Sequence, residues 1–116
     1  MIDDLLMQLN RVRGVGGTLV LSGDGQVVAG VLREGFDEAA LAASVATALG
    51  SAQRLADALG HGTPQAFDIN GDQGSIQILP MGGPWLAIAI DRGVNVALLH
   101  LEARPVVERI AAALKL

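Results

Sequence analysis

The chain has 116 residues and a net charge of −4, with eight Lys and Arg against twelve Asp and Glu. That length accommodates one domain over residues 1–116, with a single core and no room for a second. Lys115 is the only lysine and the arginines form no cluster, which argues against a nucleic-acid groove or an anionic membrane surface as partner.

Apolar residues make up 51% of the chain, charged residues 17% and aromatic residues 3%, so the core must be built from Ala, Val, Leu and Ile. Polar residues are too few to cover the surface, and a protein interface is the expected use of the surplus. Cysteine is absent, which removes disulfides, thiolate metal sites and cysteine nucleophiles. The chain opens on Met1, Ile2, Asp3 and Asp4, with acids where a signal peptide would be basic. No apolar run reaches the roughly 18 residues of a membrane span, and a cytoplasmic location is expected.

In chain order, Leu5, Leu6, Leu9 and Val12 recur at helical spacing, predicting a helix over 3–13 with Asp3 or Asp4 as cap and Gly14 as terminator. Thr18–Ser22 and Gln26–Val31 read as a hairpin around Gly23-Asp24-Gly25. Phe36-Asp37-Glu38 leads into a long Ala- and Leu-rich helix over Ala39–Leu59, stopped by Gly60. Three strands, Gln65–Asn70, Ser75–Pro80 and Trp85–Asp91, form a meander, and Val94–Leu116 returns to helical spacing through Leu98, Leu101, Val106, Ile110 and Leu114. Pro105 is expected to kink or restart that last helix. The order α-β-β-α-β-β-β-α predicts an α+β sandwich of two or three layers, with one five-stranded antiparallel sheet covered by the central helix.

At roughly 100° per residue, Leu41, Val45, Ala48, Leu49, Ala52, Leu55, Ala56 and Leu59 fall on one side of the central helix, the expected core stripe. Opposite lie Ala39, Ala43, Ala46 and Gly50, where a solvated helix would carry Glu, Lys and Gln. Small side chains let two helix axes approach closely, so this line predicts antiparallel self-packing across a twofold axis, with Arg54 and Asp57 as the polar rim. Helix propensity accounts for the alanines but not for Gly50, which costs about 1 kcal/mol in an exposed helix interior.

No catalytic constellation emerges. Arg13-Gly14-Val15-Gly16-Gly17 follows a helix and opens a strand, the reverse of a phosphate loop, and no GK[ST] or G-x-S-x-G motif occurs. His61 and His100 stand far apart without further ligands, so surface or capping roles are expected of both. Asp3-Asp4, Asp37-Glu38 and Asp91 sit at element ends, where carboxylates satisfy free amides. Trp85 is either a core edge or an interface anchor. The expectation is a non-enzyme with no metal and no cofactor.

The first helix, the run Gly14-Val15-Gly16-Gly17-Thr18-Leu19-Val20-Leu21-Ser22-Gly23-Asp24-Gly25, Leu41-Ala42-Ala43, and Asn95-Val96-Ala97-Leu98-Leu99 after the last strand together resemble the roadblock, or dynein light chain, family. Pro105 departs from its usual unbroken last helix. The resemblance implies a roadblock/profilin-like fold and a homodimer with antiparallel central helices and sheets joined edge to edge. It implies binding and regulation of a small Ras-like GTPase, as by bacterial gliding-motility regulators, through reshaped switch regions and without an arginine finger. It equally covers a nucleotide-insensitive adaptor, as in dynein and lysosomal scaffolds. A ligand sensor of PAS or GAF type shares the sheet-and-helix architecture but needs a lined pocket, for which this sequence supplies no Tyr and only three aromatics.

Overall fold

A computed structural model describes residues 1–115. The elements are α1 (Ile2–Asn10), β1 (Val15–Leu21), β2 (Val27–Leu32), α2 (Glu38–Leu59), β3 (Phe67–Gly71), β4 (Gly74–Pro80), β5 (Trp85–Asp91) and α3 (Val96–Ala113), in the order the sequence predicts. The five strands form one antiparallel sheet in the order β2-β1-β5-β4-β3. The hairpin and the meander therefore meet through β1 and β5, with Thr18 opposite Ile88 and Val20 opposite Leu86.

Strand alternation divides the apolar residues between two layers. Leu19, Leu21, Ile78 and Ala87 pack with Ala42 and Val45 of α2. Val20, Leu86, Ile88 and Ile90 pack with Leu6 and Leu9 of α1 and with Leu99, Ala103, Val106 and Ile110 of α3. The result is a three-layer sandwich in which β1, flanked by β2 and β5, is buried over its whole length. Thr18 is the buried polar residue of that strand; its hydroxyl donates to Asn10 Oδ1 at 2.7 Å, while Asn10 Nδ2 donates to the Val31 carbonyl at 3.0 Å.

The central helix follows local rules closely. Asp37 caps it, its side chain accepting from the Ala40 amide, and Gly60 ends it in the left-handed region with φ of +68°. Other boundaries move. The first helix ends at Asn10 instead of 13, Met1 is its N-cap, and neither Asp3 nor Asp4 caps it; both lie in the first turn, where they complement the helix dipole. Gly14 serves the entry to β1 instead, at φ of +99°, where a Cβ would stand 2.6 Å from Val94.

The last helix differs most from expectation. It runs through Pro105 as one element without restarting, and its buried face is Leu99, Ala103, Val106 and Ile110, so Leu98 and Leu101, assigned inward from spacing, are exposed. Asn95 caps the start of the helix, its side chain accepting from the Leu98 amide at 3.1 Å. Pro105 sits on the outward side, where water can reach the carbonyl its missing N–H leaves free. Leu116, the end of the predicted stretch, lies outside the described residues.

Candidate functional site

The surface of interest is the α2 side of the sheet. The helix seats only Ala42 and Val45 fully, with Leu41 and Leu49 half-buried beside them. This buried line runs between the two faces read from the sequence. Leu55 and Leu59, placed in the core stripe by spacing, are 63% and 58% exposed. The correction has a simple cause: helical periodicity identifies an apolar stripe but not whether the chain itself covers it.

The interface residues expected from the sequence separate into two groups. Ala46 and Gly50 are half-buried and lean toward the β1–β2 turn; a Cβ on Gly25 would stand 3.0 Å from that of Ala46. Ala39, Ala43, Arg54 and Asp57 are exposed. The polar pair is held along the helix: Arg54 Nη2 donates to Ser51 Oγ at 3.1 Å, and Gln53 Nε2 donates to Asp57 Oδ1 at 2.8 Å.

Beside α2 the sheet is incompletely covered. Ile69, Ile76 and Ala89 are cross-strand neighbours on β3, β4 and β5, and with Gly16 and Phe36 they line a shallow trough. Phe36 and Ile69 are 57% and 52% exposed. Sequence reasoning did not single out either; Ile69 alternates with Asp68 and Asn70, a pattern that marks an inward strand residue without revealing that its face lacks a cover. Trp85 packs edge-on against Phe67, centroids 6.5 Å apart, at the margin of the layer under α2.

Elsewhere the polar residues occupy structural positions. The Gly14–Gly17 run opens β1, as expected of a strand entry. His61 is exposed in the loop after α2, and His100 Nε2 lies 2.6 Å from Gln77 Oε1. Arg33 Nη2 donates to both Asp91 carboxylate oxygens at 3.1 Å. No group of three or more His, Cys, Asp or Glu able to hold a metal occurs among the described residues, nor is any helix among them long and apolar enough to cross a membrane.

The sequence pattern of the Roadblock/LC7 domain matches residues 1–88. An uncharacterised protein of Methanocaldococcus jannaschii, MJ1340, is 32% identical over 112 residues, covering 97% of this chain and 98% of that protein. The fold is similar to that of MglB from Myxococcus xanthus, with a TM-score of 0.87 at 16% identity over 98% of this chain and 94% of the other. It also resembles the gliding protein MglB of Thermus thermophilus, with a TM-score of 0.78 at 22% identity over 97% and 89%. With its three helices, its five-stranded antiparallel sheet and a family pattern covering most of its length, the chain belongs to the Roadblock/LC7 domain family.

Proposed function

We propose that the protein is a non-catalytic cytoplasmic module that forms a homodimer through the α2 side of its sheet and, as a dimer, binds and regulates a small Ras-like GTPase. The observation carrying this reading is the pairing of two uncovered apolar surfaces on one side: the Leu55 and Leu59 flank of α2, and the trough lined by Phe36, Ile69 and Ile76. Each is a poor surface to leave in water, and a twofold axis presents one to the other in a second copy. Ala39, Ala43, Ala46 and Gly50 let the paired helices approach, with Arg54 and Asp57 at the rim. The space between α2 and its own sheet is filled by Leu19, Leu21, Val45 and Ile78, which favours a binding module over a sensor with a ligand between those layers.

Light scattering on the wild type, Leu59→Asp and Gly50→Arg tests the assembly. A dimeric wild type and monomeric variants are expected, because each substitution sets an unpaired charge in the contact; dimeric variants would overturn the interface. Regulation is tested with small GTPases of the same genome loaded with GDP or a GTP analogue. Nucleotide-dependent binding is expected, whereas equal binding in both states would favour the adaptor reading of the same surface, and no complex in either state would remove the GTPase.

A further inference from the structure

The sheet has a second feature that the α2 surface does not use. β2 ends the strand order, paired on one side with β1 and with no strand on the other. Its sequence, Val27-Val28-Ala29-Gly30-Val31-Leu32, contains no charge and no proline. Exposed edges are usually guarded by such residues because their unpaired N–H and C=O groups accept any extended chain. β3, at the opposite edge, is shorter and carries Asp68 and Asn70. Val27 and Val28 are exposed at the turn end of β2, where the register with β1 shifts.

One charged group addresses this edge. A Cβ on Gly30 would stand 2.7 Å from Glu38 Oε2 and 2.9 Å from Leu19 Cδ1. The missing side chain thus leaves room for the carboxylate at the head of α2 to fold over the middle of the strand. The ion pair formed among the described residues joins Arg33 to Asp91 and leaves Glu38 without a cation.

We infer that the free edge of β2 is a docking site for an extended segment of a partner protein that carries a Lys or Arg among apolar residues. Only an extended backbone satisfies the outward row of donors and acceptors. A residue opposite Gly30 on the added strand would lie about 5 Å away with its side chain on the same face as Glu38. A second copy of β2 does not meet this requirement: paired antiparallel to itself about Gly30, it would bring two Glu38 carboxylates together. The inference is independent of the dimer and GTPase reading.

The test uses the full chain, labelled with nitrogen-15, and two capped seven-residue peptides of alternating Val and Thr, one with Lys and one with Glu at the centre. At millimolar peptide the Lys form is expected to shift the amides of Val27–Leu32 and Glu38, with the Glu form weaker by about fivefold, the upper size of a cross-strand charge pair. Glu38→Gln should abolish that difference. Absence of shifts, shifts centred away from β2, equal binding of the two peptides, or a difference that survives Glu38→Gln would each overturn the site.

Discussion

The guanidinium of Arg54 folds back over Gly50: its Nη1 lies 3.5 Å from where a Cβ on that glycine would stand, while Nη2 is held by Ser51. The glycine has an ordinary helical backbone, and the space above it admits a methyl group in normal contact. Gly50→Ala should therefore stabilise each protomer by about 1 kcal/mol through helix propensity. Urea melts in the Leu59→Asp background, where association does not contribute, read this directly, and a loss of stability there would show that the position has no room.

Thr18 and Asn10 form the polar link between β1 and α1. Thr18→Val keeps the shape but removes the hydroxyl, leaving Asn10 Oδ1 without its 2.7 Å donor. A loss of about 1–3 kcal/mol is expected, the cost of a partly buried acceptor left unpaired. Equilibrium urea unfolding checks it; an unchanged midpoint would mean that water replaces the donor.

Pro105 interrupts the hydrogen-bond ladder of α3 without breaking the helix. Pro105→Ala restores an N–H toward the Leu101 carbonyl and relieves ring crowding, so stability should rise by up to about 3 kcal/mol. A higher melting temperature by calorimetry is the expected result, and a lower one would mean that the proline ring packs usefully.

The Arg33–Asp91 pair looks important because it joins the end of β2 to the end of β5, yet its side chains are 56% and 44% exposed. Solvent screening keeps such pairs small, and Asp91→Asn should cost less than about 1 kcal/mol. The difference from wild type should shrink further in high salt, and a larger loss that persists in salt would contradict this assignment.

Much of the fold was legible because its signals are local. Asp37 and Gly60 bracket α2 by capping chemistry, and the glycine turns separate β1 from β2 and β3 from β4. Which face of a helix becomes buried was less legible. Leu55 and Leu59 read as core because an apolar stripe looks the same whether its cover belongs to the same chain or to another. Leu98 and Leu101 failed for a different reason: Val106 and Ile110 lie on the buried face as inferred, but in the first turns that face continues through Ala103 and Leu99, and an alanine gives a hydropathy pattern little to mark it. Phe36 and Ile69 escaped notice because a trough is assembled from β1, β3, β4, β5 and the loop after β2, a juxtaposition that no window of sequence contains.

The adjacency of β1 and β5 also dictates an order of events for the growing chain. Strand β1, buried over its whole length, is made well before β5, so one of its two flanking strands is not complete until Asp91 has been added. Until then Leu19, Val20 and Leu21 have a neighbour on one side only, and an amino-terminal hairpin alone is marginally stable at best in water. Commitment to the native state must therefore wait for the carboxy-terminal third, so proteolytic sensitivity of nascent chains should fall late and abruptly.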